Sequence, residues 1–395
     1  MSKKIVVIGG GASGFMAAIT AARAGASVTI LEQNSKLGKK ILSTGNGKCN
    51  LTNTRQTKEC YGCTEQDFPY TVLEKFNFED TISFFHEIGI YTKNKNGYIY
   101  PHSEQASSVV EVLEMEARNL KIKLKTQEKV SRIEPDGHGF LIHTNSWQYP
   151  CDCVILSCGS SASVIEGANG SGYELAQNLG HTIIEPLPAL TGLKGYGKPF
   201  SKWAGVRAEA KLTLQIDEER TVSEQGEVQL TDYGISGIPT FQISRYVSKA
   251  IAKGRSVSVF LDFLPEMTEI ECLEFLNMRQ QNRPYKNLKE MLTGLFPSKL
   301  IDVLLDRTND MGALVNNIKN YEVKIKETLD LDHAQVCTGG ISCREVSSET
   351  LESKLVPGLY FCGEILDVDG ICGGYNLQWA WSSGHAAGEA AANEY

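Results

Sequence analysis

Ile5-Val6-Val7-Ile8 is an uninterrupted apolar run that leads directly into Gly9-Gly10-Gly11-Ala12-Ser13-Gly14. Residues 12–24 carry apolar side chains at helical spacing, and 27–31 form a second β-rich run followed by Glu32. A buried strand, a G-x-G-x-x-G loop, a helix and a second strand make a βαβ unit, so the chain opens as an α/β fold. In such a unit Gly9, Gly11 and Gly14 permit the turn and let a pyrophosphate approach the backbone, where the amides and the positive end of the helix hold its charge. Ala12 and Ser13 then start that helix, and Ala18, four residues past Gly14, lets helix and strand pack closely. Glu32 stands where a carboxylate meets ribose hydroxyls. The loop alone would suit an ordinary glycine-rich turn; strand, helix and acid together predict a dinucleotide site.

At 395 residues the chain is too long for one small core, and its 42% apolar content can fill two or three. A net charge of −8 without a basic block argues against a surface that tracks phosphates, hence no nucleic-acid partner and a small-molecule substrate. The 11 cysteines are odd in number and irregularly spaced, which predicts a reduced, cytoplasmic protein rather than a disulfide framework. Cys60-x-x-Cys63 and Cys151-x-Cys153 lack a second pair at zinc-ligand spacing, so no metal is expected. Lys3-Lys4 before an apolar stretch superficially resembles a signal peptide, but the spaced glycines and Arg23 favour the nucleotide-binding reading. No apolar run approaches twenty residues, so no membrane span is expected.

Further along, 36–55 is a polar, glycine-rich segment expected to be a functional loop. Helical spacing recurs over 71–89 and 107–120, with GYIYPHS between them entering a short strand. Strand-like runs at 122–124, 130–133, 140–144 and 153–157 predict a small antiparallel meander that returns to the parallel sheet. The expected organisation is a first part of the nucleotide-binding domain at 1–190, an inserted substrate or cap region at 191–330, and the domain's C-terminal part at 331–395. Within the insert, 191–265 reads as β-rich and 266–330 as helical.

The far end of the chain selects the nucleotide. An NAD domain is completed locally, whereas many flavoproteins close an FAD site with a distant C-terminal glycine–acid motif and a helix aimed at the isoalloxazine. Here Gly363-Glu364 follows the strand-like LYFC, and Gly373-Gly374 precede a helix starting at Tyr375-Asn376-Leu377. Amides at a helix N-terminus stabilise the negative charge of reduced flavin. Thr338 and the glycines of CTGGI are expected to line the same ring.

The chain resembles, over nearly its whole length, the FAD-dependent oxidoreductases that include aminoacetone oxidase and the BaiN-like bile-acid reductases. The segments that carry this are GGGASG, GKKILSTGNGKCNLTN at 38–53, SCGSSASVIEGANGSGYELAQNLGH at 157–181 with LPAL after it, GEVQLTDYGISGIP at 226–239, CTGGI at 337–341, and GLYFCGEILDVDGICGGYNLQWAWSSGHAAG at 358–388. The resemblance implies a Rossmann-like FAD domain built from both chain ends, interrupted by a β-barrel-like and helical insert. It also implies FAD contacts from Ser13, Gly14, Glu32, Lys40, the backbone of Val130, Gly159, Glu364, Asn376 and Leu377. Where many relatives have Thr-His and Ser-Gly-Pro in the insert, this chain has Thr231-Asp232 and Ser236-Gly237-Ile238-Pro239. A proton-donating role for that histidine therefore does not carry over. Other candidates for proton or electron transfer are His102, Tyr100 and Cys49.

The expected activity is hydride transfer between FAD and a small organic substrate, first as NAD(P)H-linked reduction of a conjugated enone of the 3-oxo steroid kind. The alternatives are an amine oxidase of the aminoacetone type, an FAD-dependent tRNA-modifying enzyme and a non-enzymatic flavin redox sensor. No second complete G-x-G-x-x-G exists, so a nicotinamide donor would share the substrate cavity.

Overall fold

The computed structural model describes residues 2–137, 139–197, 200–306, 308 and 310–393. Glu394 and Tyr395, at the end of the predicted C-terminal part, lie outside them. The chain divides into two compact units, Met1–Pro186 with Val336–Tyr395, and Leu187–Gln335.

The core of the first unit is a five-stranded parallel sheet in the order Leu359–Phe361, Cys153–Leu156, Lys4–Ile8, Ser27–Glu32, Lys123–Thr126. The central strand buries Ile5, Val6, Val7 and Ile8, and its neighbour buries Cys153 to Leu156 without a break. This is the pattern of a strand covered on both faces. Lys123–Thr126 alternates exposed and half-buried residues, as an edge strand does. A C-terminal strand at the opposite edge makes the Rossmann-like domain from both chain ends.

Helix Ala12–Arg23 packs against the terminal helix Tyr375–Asn393. Their approach depends on small residues: a Cβ at Gly384 would lie 2.5 Å from the Ser13 carbonyl oxygen, and one at Gly388 would collide with that of Ala17. The terminal helix is sunk in the unit, with Trp379 and Trp381 fully buried.

The predicted meander is a three-stranded antiparallel sheet of Val130–Asp136, Gly139–Thr144 and Gln148–Cys151. Two small sheets accompany it: Thr52–Asn53, Tyr98–Pro101 and Thr92–Lys95 form one, Tyr61–Cys63 and Val368–Gly370 the other. The helical spacing over 71–89 resolves into two helices, Phe68–Lys75 and Phe78–Glu87. Asn77 breaks them by accepting from the Glu79 and Asp80 amides while Asp80 accepts from the Asn77 amide, a reciprocal cap that starts a new helix.

The second unit is a closed antiparallel barrel in the order Leu193–Gly195, Gly234–Ser236, Glu219–Leu230, Val206–Ile216, Val257–Asp262, Tyr321–Thr328. Two expectations for the insert need correction. The β-rich half contains helix Ile238–Ala252, which buries Ile243, Val247 and Ala250, and the helical half ends in strand Tyr321–Thr328. That strand alternates buried Val323 and Ile325 with exposed Glu322, Lys324 and Lys326, a period of two that closes the barrel. Between them lie helices Glu269–Asn282, Leu288–Leu292, Ser298–Leu304 and Met311–Lys319.

Candidate functional site

The glycine loop sits at the carboxyl end of the central strand. A Cβ at Gly14 would strike the Gly9 carbonyl, so helix and loop meet only because that side chain is absent. Gly11 differs, for a Cβ there would meet nothing within 4 Å. Its open face leaves the helix N-terminus, with Ala12 and Ser13 in the first turn, accessible to an anion. Glu32 is 8% exposed at the end of the next strand, where its carboxylate accepts from the Gly10 amide at 2.9 Å and the Asn34 amide at 2.8 Å. The Glu32 carbonyl accepts from the Glu128 amide, which brings the segment leading to buried Val130 beside the acid.

The C-terminal segment reaches the same loop. Ser13 Oγ donates to the Cys362 carbonyl at 3.4 Å. Next to it, the Gly363 amide donates to Ser383 Oγ at 2.9 Å and its carbonyl accepts from Trp379 Nε1 at 3.0 Å. Lys40 Nζ donates to Glu364 at 2.5 Å and to Ser160 Oγ at 3.4 Å, and Ser160 Oγ donates to Glu364 at 3.1 Å. Gly159 adjoins this cluster with an open face, since a Cβ there would also meet nothing within 4 Å. Five segments distant in sequence therefore converge, 9–14, 32–40, 128–130, 159–160 and 362–364, and Gly9, Gly11, Ala12, Ser13, Gly14, Glu32, Lys40, Val130, Gly159, Gly363 and Glu364 all belong to them.

Gly373 and Gly374 have φ of +121° and +96°, a backbone that side chains rarely adopt. A Cβ at Gly374 would lie 2.8 Å from the Thr52 carbonyl and 3.0 Å from Asn50 Oδ1, so the turn rests directly on the loop at 50–53. Asn376 holds the turn from behind: its Oδ1 accepts from the Gly370 amide at 2.8 Å and its Nδ2 donates to the Gly370 carbonyl at 2.9 Å. Leu377 is half-buried against the core. Buried side chains of the terminal helix then pin the loop, Trp381 Nε1 donating to the Leu51 carbonyl at 3.0 Å and Gln378 Oε1 accepting from Thr52 Oγ1 at 2.6 Å.

Asn50 Oδ1 and Thr338 Oγ1 are among the buried polar atoms that have no hydrogen-bond partner within the described residues. Buried polar groups are almost always satisfied, so each of these two oxygens retains the capacity to bond a further group. Sequence reasoning passed over Asn50, Asn53, Tyr98, Ser160 and Gln378, because each matters through a contact with a distant segment.

The proton- and electron-transfer candidates are placed differently. Cys49 is fully buried, and burial pushes its thiol up to about 12 despite a bond from Thr44, so it stays protonated. Tyr100 is raised above the usual phenol value by burial first, and the Lys95 ammonium lies 5.7 Å from its ring. His102 is exposed, with its ring 5.6 Å from that of the exposed Tyr91. In the barrel unit, Asp232 is exposed in the turn where Thr231 Oγ1 accepts from the Gly234 amide. Among the described residues no group of three His, Cys, Asp or Glu converges as a metal site, and no helix is long and apolar enough to cross a membrane.

Residues 3–390 match the HI0933-like protein Rossmann domain. The chain is 46% identical to a 3-dehydro-bile acid delta(4,6)-reductase of Clostridium scindens, covering 98% of this chain and 99% of that protein. It is 32% identical to a ribosomal RNA dihydrouridine synthase of Haemophilus influenzae, covering 96% of each. Its fold is similar to that of 3-ketosteroid delta1-dehydrogenase from Sterolibacterium denitrificans, with a TM-score of 0.53 and 12% identity over 99% of this chain and 100% of that one. With a family match over almost its entire length and these relatives, the chain belongs to the HI0933-like Rossmann family of FAD-dependent oxidoreductases.

Proposed function

We propose that this protein is an FAD-dependent reductase that saturates a carbon–carbon double bond conjugated to a ketone, in a flat substrate of the 3-oxo steroid kind, with NAD(P)H as electron donor. The observation that carries this reading is the 46% identity over 98% of the chain to a reductase of 3-dehydro-bile acids. The 32% relative adds support from chemistry, because making dihydrouridine also saturates a double bond conjugated to a ring carbonyl. An excess of 47 acidic over 39 basic residues favours a small substrate over RNA.

The residues present suit FAD. The open face at Gly11 and the amides of the first helical turn would take the pyrophosphate. Each Glu32 oxygen accepts one backbone amide and retains a lone pair for a ribose hydroxyl. The Val130 backbone would meet the adenine. Lys40 directs two of its three protons at Glu364 and Ser160, leaving one for a phosphate oxygen beside Gly159. The unpartnered Asn50 and Thr338 oxygens and the Gly374–Leu377 turn would border the ring. When bound, FAD supplies reversible hydride transfer. The chain's part is to hold the ring against the glycine turn, exclude water with Trp379 and Trp381 packed behind it, and supply positive backbone dipoles where charge develops.

The test is anaerobic. Purified protein with its flavin spectrum is mixed with NADH, NADPH or a panel of amines, and the bleached protein is then offered a 4-ene-3-oxo steroid or ribosomal RNA. Bleaching by a nicotinamide and recolouring by the steroid are expected. Bleaching by amines alone, or recolouring by RNA alone, would overturn the reading.

A further inference from the structure

The strands Thr52–Asn53, Tyr98–Pro101 and Thr92–Lys95 present one face whose composition is unusual for a small surface sheet. Asn96-Gly97 forms a two-residue hairpin turn with φ of +54° and +95°, which sets Lys95 directly opposite Tyr98 and Lys93 opposite Tyr100. On the other side Asn53 pairs with Tyr98. Residues directly opposite one another share a face, so Asn53, Tyr98 and Lys95 form one row and Tyr100 with Lys93 the next.

The first row meets the glycine turn. Asn53 Nδ2 donates to the Gly373 carbonyl at 3.1 Å, and Tyr98 Cε1 lies 2.8 Å from where a Gly373 Cβ would be. Of the phenols gathered here, Tyr61 donates to Gln56 Oε1 at 2.7 Å, and Tyr375 is 4% exposed and engaged with Cys60. Tyr100 stands beside the other turn, 3.6 Å from where a Gly45 Cβ would be. Tyr98 is different, being 40% exposed, seated on Gly373, and without a hydrogen bond from its hydroxyl to any described residue.

We propose that Tyr98 is the acid that protonates the substrate, an inference that rests on the reductase reading above. Saturating a conjugated double bond takes one hydride and one proton. The hydride, carrying two electrons from the reduced flavin, forms a C–H bond at the β-carbon, and the π pair moves toward the carbonyl as an enolate. The Tyr98 O–H bond then breaks as a C–H bond forms at the α-carbon, and the phenolate regains its proton from water. Lys95, across the strand from Tyr98, is paired with the Glu104 carboxylate and has its ammonium 5.7 Å from the Tyr100 ring, so the phenolate is discharged by water and not by this lysine. A phenol on a rigid sheet, against the turn that borders the ring, delivers its proton to one face of the substrate.

The test uses the FAD-loaded protein and the variants Tyr98→Phe and Tyr98→His. FAD content and the rate of bleaching by the nicotinamide are expected to match the parent in both. Recolouring of bleached Tyr98→Phe by a 4-ene-3-oxo steroid is expected to slow at least about 100-fold, with Tyr98→His recovering part of the rate. In D2O the parent is expected to place deuterium on a single face of the α-carbon by NMR, and the residual product of Tyr98→Phe on both. Recolouring of Tyr98→Phe within threefold of the parent, or single-faced deuterium in its product, overturns the Tyr98 assignment alone. Failure of the parent itself to recolour with any enone overturns the reductase reading and this inference with it.

Discussion

Replacing Gly11 by alanine should separate folding from nucleotide binding. The residue caps the first helix with φ of −84° and ψ of −165°, a backbone open to any L-residue. The added methyl would meet no atom within 4 Å. Alanine is a poorer cap than glycine by about 0.5–1 kcal/mol, while the stiffer unfolded chain offsets about 0.4–1 kcal/mol. The apoprotein should therefore melt within about 2 °C of the parent. On the proposed FAD placement the methyl would nevertheless occupy the space a pyrophosphate oxygen needs, and losing one charged hydrogen bond costs about 1.5–3 kcal/mol, or roughly a 12- to 150-fold rise in Kd for FAD. Gly384→Ala should give the opposite signature, because its Cβ would sit 2.5 Å from the rigid Ser13 carbonyl and 3.0 Å from Met16 Cβ. Overpacking of that kind costs about 1–3 kcal/mol, seen as a melting point several degrees lower. Scanning fluorimetry of the apoproteins and titration by quenching of FAD fluorescence read both quantities. A Gly11→Ala protein that binds FAD within twofold of the parent would refute the cradle.

Glu32→Ala should weaken FAD binding at least about tenfold, measured by the same titration, since it removes the proposed ribose acceptor and frees the Gly10 amide. Trp381→Phe strands the buried Leu51 carbonyl and should cost about 1–3 kcal/mol in urea unfolding, with faster loss of flavin on dialysis. Burial holds the imidazoles of His181 and His385 below the ordinary 6.5, so the unfolded chain binds more protons than the folded one below that pH. The stability these groups contribute is complete above about pH 6.5 and falls as the pH drops below it; a melting point flat from pH 7.5 to 5, or a slope unchanged in His385→Phe, would contradict this. Cys49, held protonated up to about 12, should resist iodoacetamide at pH 8 in the folded protein and react once it is unfolded in urea.

What could be read from the chain beforehand followed the range of the interactions. The opening βαβ unit is written in contiguous residues, and so is the ending at Gly363-Glu364 and Gly373-Gly374, because a buried strand and a tight turn constrain their own sequence. The break at Asn77 was equally local, an Asn followed three residues later by Asp80, yet continuous apolar spacing on either side masked it. Tyr321–Thr328 lay hidden for a related reason: its alternation follows directly on a Leu- and Asn-rich helical stretch, and only barrel closure makes it a strand. The row of Asn53, Tyr98 and Lys95 had one available signal, the Asn96-Gly97 dipeptide, which fixes a hairpin register. The pairing of Asn53 with Tyr98 and of both with Gly373 had none, since it joins segments far apart in sequence.

The edge strand Leu359–Phe361 and the helix that follows it also dictate an order of events during synthesis. Until those residues leave the ribosome, Cys153–Leu156 lacks its outer neighbour and Ala12–Arg23 lacks the surface it packs against. The barrel, contained in Leu187–Gln335, has every one of its strands available sooner. The insert therefore folds while the nascent Rossmann half waits with exposed apolar strands, which makes the early segment the part most in need of chaperone protection. Contacts of such long sequence separation also make completion of the nucleotide fold slow relative to the barrel.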